Sequence, residues 1–344
     1  MKPTGPLIPL VLAGVLLWLC ATIPAKAEPA APDAVSAAAR PAPDGSALIA
    51  ASEDADGLLD LRMHSTAMNT DITLKVLRAP DGSKPAPTLY LLNGASGGSD
   101  ASSWPEQTDI VDFFRGKQLN VVTPMGGNGS YFTDWHADDP VMGRARWSTV
   151  LTRELPPIID SALNGNGANA IAGISMAGTS VFQLALDAPG LYRAIGSYSG
   201  CARTSDLAGR FFVDAVVLRW GGNPTNMWGP PDDPAWSAED PYLHADRFRG
   251  TAVYVSSGTG VPGALDTLDG PGIHGNPAKL LAQLTSGALL EAITDECAHT
   301  LQDRFQSLGI PATFNLRPAG THSWGYWQQD LHDSWPLFAQ ALHG

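Results

Sequence analysis

The feature of the sequence that most constrains the fold is a strand-like run that leads into a turn of small residues around one serine. Residues 169–174 are mainly apolar, Ser175 follows them, and residues 179–186 have the composition of a buried helix. Gly173 lies two positions before the serine, and Ala177 lies two positions after it in place of the usual second glycine. A strand, a sharp turn and a helix form a nucleophile elbow, in which small flanking residues let the chain reverse. The pattern therefore predicts that Ser175 is a nucleophile at the end of a central strand.

Strands and helices alternate along the rest of the chain. Residues 59–65 and 72–77 alternate apolar with polar side chains, which favours an antiparallel pair. Further strands are predicted at 88–92, 119–124, 192–199, 251–256 and 312–316. Helical patterns occupy 147–164, 291–308 and 332–343. This alternation predicts one α/β domain over residues 56–344, with a mostly parallel sheet and helices on both of its faces.

The N-terminal residues differ in composition from this domain. Residues 1–27 have a short basic start, an apolar stretch at 7–23 and a small-residue site that ends at Ala27. This arrangement predicts a secretory signal peptide that is removed after Ala27, so the protein is expected to be secreted or held in the cell envelope. Residues 28–55 are rich in Ala, Pro and Asp without periodicity, and they are predicted to form a flexible spacer.

Charge and cysteine content exclude some functions. The 344-residue chain carries a net charge of −13, which becomes −15 when the leader and its two lysines are removed. An acidic secreted chain argues against nucleic-acid binding. The sequence shows no cysteine or histidine spacing typical of a metal site, and we expect neither a metal nor a cofactor. Cys201 and Cys297 form either a disulfide or two buried thiols, because the sequence alone does not show that they meet.

A serine nucleophile needs a histidine base that is oriented by a carboxylate. In this fold class the chain order is serine, acid and histidine. His322 is the histidine that follows a late predicted strand in a loop, so it is the predicted base. Spacing leaves the acid open, with topology favouring the first two of five candidates: Asp266, Asp269, Glu291, Asp295 and Glu296.

A glycine-rich loop at 93–99 follows the predicted strand 88–92. In α/β-hydrolases this loop supplies one amide of the oxyanion hole, although a plain strand-to-helix connection has the same composition. A phosphate-binding loop is not expected, since the loop has no lysine followed by serine or threonine.

Six separated strings, in the same order and at similar spacing, resemble the secreted antigen 85 mycolyltransferases of mycolate-bearing actinobacteria. They are Leu-Leu-Asn-Gly at 91–94, Tyr-Phe-Thr-Asp-Trp at 131–135, Gly-Ile-Ser-Met-Ala-Gly at 173–178, Asn-Met-Trp-Gly-Pro at 226–230, Asp-Pro-Ala-Trp at 233–236 and Gly-Thr-His-Ser-Trp-Gly-Tyr-Trp at 320–327. The resemblance extends from about residue 59 to the C-terminus. It implies an α/β-hydrolase fold and a serine acyltransferase.

The resemblance also implies a substrate and residue roles. Such an enzyme moves a mycolyl group from trehalose monomycolate to trehalose or to cell-wall sugar hydroxyls through an acyl-serine, and it contacts the outer lipid layer peripherally. Ser175 would be the nucleophile and His322 the base. Glu291 would be the acid in place of the loop acids that topology favours, because its Leu-Glu pair and the Gln-Asp pair at 302–303 keep the family's gap. The amides of Ala95 and Met176 would form the oxyanion hole.

The substrate-binding residues depart from the family. The candidates are Asn93, Ser96, Ser197 and Trp324. Where the best-known members read Asp-Gly-Leu-Arg and contact trehalose with the Asp and the Arg, this chain reads Asn-Gly-Ala-Ser at 93–96. The family's reactive cysteine falls on Val255, so inactivation by thiol reagents should fail.

Apolar walls for the substrate have several candidates. The tryptophans that could stack on sugars, or simply anchor the core, are Trp220, Trp228, Trp236 and Trp324. Residues 211–218 are a candidate acyl groove, and residues 221–240 a candidate cap over the site. Two other functions remain open: a secreted carboxylesterase on the same machinery, and a non-catalytic cell-wall binding relative.

Overall fold

A computed structural model describes Met1 and residues 31–344 of the chain. The predicted signal peptide, apart from Met1, lies outside the described residues. The strands are β1 Ala47–Glu53, β2 Leu59–Ser65, β3 Thr70–Leu77, β4 Ala86–Leu92, β5 Asn120–Pro124, β6 Gly165–Ile174, β7 Tyr192–Tyr198, β8 Ala252–Gly258 and β9 Thr313–Arg317. The helices are α1 Pro32–Ala38, α2 Trp104–Gln107, α3 Ile110–Phe114, α4 Trp147–Thr149, α5 Leu155–Ala162, α6 Met176–Asp187, α7 Leu207–Arg219, α8 Pro224–Trp228, α9 Ala235–Ala238, α10 Pro277–Ala282, α11 Ala288–Ser307 and α12 Trp324–His343.

Wider helical turns extend two of these helices into longer units. The π-helical turn Val150–Glu154 joins α4 to α5, and Gln283–Gly287 joins α10 to α11. A 3₁₀ turn at Ala245–Phe248 precedes β8. The predicted helix at 147–164 is therefore continuous in space, with a change of pitch in its first half.

The nine strands of the described chain form one sheet in the order β1-β2-β3-β5-β4-β6-β7-β8-β9. The strands β2 and β3 pair antiparallel, as the alternating pattern predicted. From β5 through β4 and β6 to β9, every neighbouring pair is parallel. The predicted α/β-hydrolase architecture with a mostly parallel sheet is confirmed.

Helices cover both faces of the sheet. One core packs α5, α6 and α11 against it through buried side chains such as Ile158, Phe182 and Phe305. The other core packs α3 and α12 on the opposite face, with Phe114 and Phe338 among its members. All side chains of β4 and β5 are buried, because strands covered on both faces have no solvated side. This explains why the central strands read as continuous apolar runs.

The prediction of a flexible spacer at 28–55 is wrong for its described part. Helix α1 packs on β1 and α5, and Val35 of this helix is fully buried. Strand β1 adds to the edge of the sheet, antiparallel to β2. The strand is only half buried and its sequence is rich in alanine. It therefore has few of the β-branched residues by which a strand is recognised in a sequence. The folded domain thus includes residues before 56.

The carboxyl ends of β4, β6, β7, β8 and β9 lie at one edge of the sheet, because these strands run parallel. In open α/β sheets this edge is where ligands bind. The loops that follow these strands carry the glycine-rich segment 93–99, Ser175, Ser199, the segment 259–287 and His322. The topology therefore gathers the predicted catalytic residues at one end of the domain.

Candidate active site

The turn between β6 and α6 has the geometry of a nucleophile elbow. Ser175 adopts φ 55° and ψ −123°, a conformation that costs a residue with a side chain about 1–3 kcal/mol. A Cβ atom at Gly173 would lie 2.7 Å from the carbonyl oxygen of Ala177, so only glycine fits there. The backbone amide of Ser175 donates to the carbonyl of Tyr198 at 2.9 Å, which ties the turn to the end of β7. The surrounding chain therefore holds the strained serine in place.

The predicted base and one predicted acid form a buried pair. His322 lies in the loop between β9 and α12, and its Nδ1–H donates to Oε2 of Glu291 at 2.8 Å. The Glu291 side chain is fully buried on α11, and the His322 side chain is 9% exposed. A histidine held in this way presents Nε2 as the free nitrogen that can accept a proton.

The second oxygen of Glu291 accepts from two residues of β8 and from the residue that follows β7. Its Oε1 accepts from the Gly258 amide at 2.6 Å, from Ser199 Oγ at 2.9 Å and from Ser257 Oγ at 3.1 Å. Burial is the largest single influence on the pKa of Glu291 and would raise it. The hydrogen bond and charge of His322 and the Gly258 and Ser199 donors outweigh burial, so the pKa is lowered. The carboxylate is thus ionised and oriented towards the histidine.

Ser175 lies at the same edge of the sheet as the His322–Glu291 pair. Within the described residues, no hydrogen bond links Ser175 Oγ to His322 Nε2. Tyr198, which binds the Ser175 amide, immediately precedes Ser199, which donates to Glu291. In proteins without bound substrate, such catalytic contacts are often longer than a hydrogen bond and tighten in the complex.

Two backbone amides beside Ser175 have no acceptor among the described groups. Met176 is the first residue of α6, so its amide is one of the unpaired donors at a helix N-terminus. The amide of Ala95 is likewise free, and its carbonyl is held by the Gly129 amide at 3.0 Å. A Cβ at Gly94 would lie 3.4 Å from Cβ of Ser175, so the glycine-rich loop runs directly past the serine. Paired free amides next to a nucleophile can stabilise an oxyanion.

The topological preference for Asp266 or Asp269 as the acid is not supported, because neither pairs with His322. Asp266 is buried and accepts hydrogen bonds from other partners, including Tyr326. Asp269 is exposed. Asp295 and Glu296 have other partners, since Asp295 pairs with His299 and Glu296 pairs with Arg203.

Two of the predicted substrate-binding residues are in the core, so those predictions are wrong. Asn93 is fully buried: its Nδ2 donates to the carbonyl of Pro124 at 3.3 Å and its Oδ1 accepts from the Trp104 amide at 3.1 Å. Ser197 is 2% exposed and donates to the carbonyl of Gly178 at 2.8 Å. Both side chains hold neighbouring backbone together and have no face towards a substrate.

Ser96 and Trp324 remain candidates for substrate contact. Ser96 is half-buried in the loop that passes Ser175, and Trp324 is half-buried at the start of α12, two residues after His322. The Trp324 ring packs edge-on against Trp104 and Trp327. Both positions lie at the edge of the sheet that carries Ser175.

The other apolar candidates divide between core and surface. Trp228 and Trp236 are buried and pack on each other at 5.2 Å, so they anchor the segment 221–240 rather than line a site. In α7, Val213 and Val217 face the core. Its outer face exposes Leu207, Phe211 and Leu218.

The residues that orient the acid were not predicted from the sequence. Ser199 accepts from Trp327 Nε1 at 2.9 Å while it donates to Glu291, and the Trp327 ring packs edge-on against His322 at 4.9 Å. Arg317 pairs with the buried Asp330 and places a guanidinium nitrogen 3.9 Å from Glu291. The available signal was that Ser199 lies just beyond the carboxyl end of β7 and Arg317 lies at the carboxyl end of β9.

Cys201 and Cys297 form a disulfide across 96 positions of sequence. The bond joins the loop after β7 to α11, the helix that carries Glu291. Within the described residues, no group of three histidine, cysteine or acidic side chains is arranged to hold a metal ion. None of the helices between residues 31 and 344 has the length and apolarity to cross a bilayer.

Comparisons with known proteins identify relatives over most of the chain. The family model described as "Putative esterase" matches residues 65–338. The diacylglycerol acyltransferase/mycolyltransferases Ag85A and Ag85B of Mycobacterium leprae are 32% and 33% identical, over 82% of this chain and 82% and 83% of their own lengths. The crystal structure of Mycobacterium tuberculosis MPT51 (FbpC1) is 26% identical, covers 81% of this chain and 96% of its own, and superposes with a TM-score of 0.66.

Proposed function

The chain belongs to the antigen 85 family of acyl-transferring esterases, and from this premise we propose that it is a secreted serine acyltransferase whose acyl carrier is Ser175. Its donor would be trehalose monomycolate, and its acceptors trehalose or cell-wall sugar hydroxyls. The observation that carries the proposal is the buried His322–Glu291 pair at the sheet edge that also holds the strained Ser175. The choice of a mycolyl group follows from the similarity to the mycolyltransferases Ag85A and Ag85B.

The first half-reaction forms the acyl-enzyme. Ser175 Oγ attacks the ester carbonyl of the donor while Nε2 of His322 accepts its proton, and Glu291 stabilises the resulting imidazolium. The amides of Ala95 and Met176 donate to the oxyanion of the tetrahedral intermediate. The intermediate collapses as His322 returns the proton to the departing sugar oxygen. The products are acyl-Ser175 and a free sugar.

The second half-reaction decides between transfer and hydrolysis. An acceptor hydroxyl gives its proton to His322 as its oxygen attacks the acyl-serine. His322 then gives this proton to Ser175 Oγ as the acyl–oxygen bond breaks, which restores the free serine and leaves the new ester. Transfer requires that the acceptor is bound and that water is largely excluded. A carboxylesterase is the second candidate function. The observation that favours it is the uncharged loop at 93–96, where Asn93 is buried and Ser96 has a short side chain.

The location of the protein is part of the proposal. A disulfide between Cys201 and Cys297 is typical of proteins that fold in an oxidising compartment. The apolar leader at 1–27 has the pattern of a signal peptide. Both features support secretion to the cell envelope, where mycolate esters and glycan acceptors would be the partners and the outer lipid layer would be contacted peripherally.

The test uses purified mature protein with trehalose monomycolate as sole substrate. We expect trehalose dimycolate from the parent and none from Ser175→Ala. Free mycolate without dimycolate would establish the esterase instead. A serine-directed phosphonate, with the adduct mapped by mass spectrometry, separates both from a non-catalytic binding protein, which would leave Ser175 unlabelled.

A further inference from the structure

Asp266 has more hydrogen bonds than a carboxylate in a surface loop needs. It is 9% exposed. Its Oδ2 accepts from the Gly263 amide at 2.7 Å and from the Tyr326 hydroxyl at 2.9 Å. Its Oδ1 accepts from Gln283 Nε2 at 2.6 Å and from the Thr321 hydroxyl. Four donors on one buried carboxylate indicate that this side chain holds the surrounding segments in place.

These donors come from two different parts of the chain. Gly263 and Gln283 belong to the segment 259–287 between β8 and α11, whereas Thr321 and Tyr326 flank His322. The Tyr326 hydroxyl also accepts from the Leu265 amide at 3.3 Å. Asp266 therefore connects the segment 259–287 to the loop that carries the proposed base.

The backbone of the His322 loop also binds to this segment. The Gly320 amide donates to Val261 at 2.7 Å, and the Gly320 carbonyl accepts from Gly260 at 2.9 Å. The His322 amide donates to the Gly287 carbonyl at 3.3 Å. The path of residues 320–322 is thus set by segment 259–287, and Thr321 is the residue of that path whose side chain Asp266 holds.

We infer that Asp266 is a positioning residue, which places His322 by clamping the loop 320–322 to the segment 259–287. The inference rests on the proposed function, since it assigns His322 the role of base. Glu291 orients the imidazole ring, whereas Asp266 fixes the backbone from which the ring projects. An error of about 1 Å in the position of a catalytic group can lower a rate on the order of 100-fold.

A carboxylate is suited to this role because both of its oxygens accept. In Asp266→Asn, the volume is kept, the negative charge is removed and one oxygen becomes an NH₂ group, so the two partners on that side must turn to accept or lose their contacts. Asp269 supplies the matched control, since it lies three residues away in the same segment and is exposed. Asp269→Asn makes the same chemical change without touching the His322 loop.

The experiment measures kcat and KM of the mature protein with a short-chain p-nitrophenyl ester, well below the unfolding temperature. Asp266→Asn should lower kcat by about 10- to 100-fold and leave KM within about twofold, and Asp269→Asn should match the parent. Thr321→Val should lower kcat in the same way. The double variant Asp266→Asn/Thr321→Val should lose little more than Asp266→Asn alone, because both changes break one link.

Each outcome decides the inference. A folded Asp266→Asn with the parent's kcat overturns it, and so does a rise in KM without a fall in kcat. A loss as large as that of Ser175→Ala also overturns it, because Asp266 would then take part in proton transfer. Should Asp266→Asn fail to fold, Thr321→Val and Tyr326→Phe, which each remove one donor, must lower kcat at constant KM.

The controls distinguish this inference from the proposed function. If Ser175→Ala keeps its activity, the proposed function itself fails. If Ser175→Ala and Glu291→Gln are inactive while Asp266→Asn has the same kcat as Asp269→Asn, only the positioning role fails.

Discussion

The two oxygens of Glu291 have different partners: Oε2 accepts a hydrogen bond from His322 at 2.8 Å, and Oε1 accepts one from the Gly258 amide at 2.6 Å. The hydrogen bond from Gly258 fixes the carboxylate to the end of β8, so the acid cannot rotate away from the histidine. The orientation of the proposed base thus depends on the backbone of the sheet as well as on a side-chain pair.

Glu291→Gln should lower kcat by about 10³- to 10⁴-fold, because a neutral amide neither stabilises the imidazolium nor fixes its tautomer. Asp303→Asn on the exposed side of the same helix is the matched control and should leave kcat unchanged. Ester hydrolysis and phosphonate labelling of Ser175 measure both variants. A Glu291→Gln variant within tenfold of the parent would remove Glu291 from the mechanism.

Ser199 and Ser257 both donate to Oε1 of Glu291, but only Ser199 also accepts from Trp327. Ser199→Ala leaves a buried indole N–H without an acceptor, so it should cost about 1–3 kcal/mol of unfolding free energy. Ser257→Ala should cost less, since its neighbour, the Thr294 hydroxyl at 3.1 Å, has a second acceptor in the carbonyl of Glu291 at 3.0 Å. Urea unfolding of the two variants gives the comparison, and equal losses would contradict the role of the Trp327 contact.

Ser199 shows which parts of the fold and of the candidate site can be predicted from sequence and which cannot. The buried runs of β4 and β5 could be predicted because strands covered on both faces must be apolar throughout. Ser175 and His322 could be selected because their positions follow strands. Ser199 has the same kind of position, but a lone serine at a strand end carries no signal of its own until its partners in space are known.

The acid illustrates a different limit. Asp266 and Glu291 are both buried carboxylates near His322, and without the family resemblance no spacing rule separates them. What separates them is which donors each one meets, and this depends on how segment 259–287 folds back on the His322 loop. The errors at Asn93 and Ser197 have the same origin, since their polar side chains bind local backbone rather than a ligand.

The disulfide between Cys201 and Cys297 closes a loop of 96 positions. A bond across so long a loop restricts the unfolded chain strongly, so the variant Cys201→Ser/Cys297→Ser should lose about 2–4 kcal/mol of unfolding free energy. The double change avoids a single reactive thiol. Denaturant unfolding of the parent with and without a reductant should reproduce the loss. If the fully reduced parent has the same free energy of unfolding as the oxidised parent, the prediction is wrong.

Glu239 provides a pH-dependent term in stability. It lines a cavity of about 260 Å³ with Asp134 and Asp187. Burial, followed by the charges of Asp187 and Asp134, raises the pKa of Glu239 to about 8. Because the folded protein keeps this proton above the ordinary pKa of 4.5, stability should fall as pH rises from about 4.5 to 8.

The variant Glu239→Gln should remove that slope, which reaches at most about 1.4 kcal/mol per pH unit for one proton. The variant should therefore gain stability relative to the parent at pH 8 and not at pH 5. Glu296→Gln, an exposed carboxylate that pairs with Arg203, is the control. Thermal unfolding across this pH range measures the difference, and parallel curves for parent and Glu239→Gln would refute the assignment.

Ser96 is the position at which acceptor preference should be open to change. It is half-buried in the loop that passes Ser175, next to Ala95, whose amide is a proposed oxyanion donor. The resemblance to the antigen 85 mycolyltransferases implies that an arginine at this position would contact trehalose. Ser96→Arg should therefore lower the KM for trehalose as acceptor and raise the ratio of dimycolate to free mycolate, because a bound acceptor competes better with water.

Ser83→Arg adds the same charge in an exposed turn before β4, at the opposite edge of the sheet, and should leave the ratio unchanged. Product ratios from trehalose monomycolate measure both variants, and an equal rise in the two would show that added charge alone, rather than its place beside Ser175, attracts the sugar.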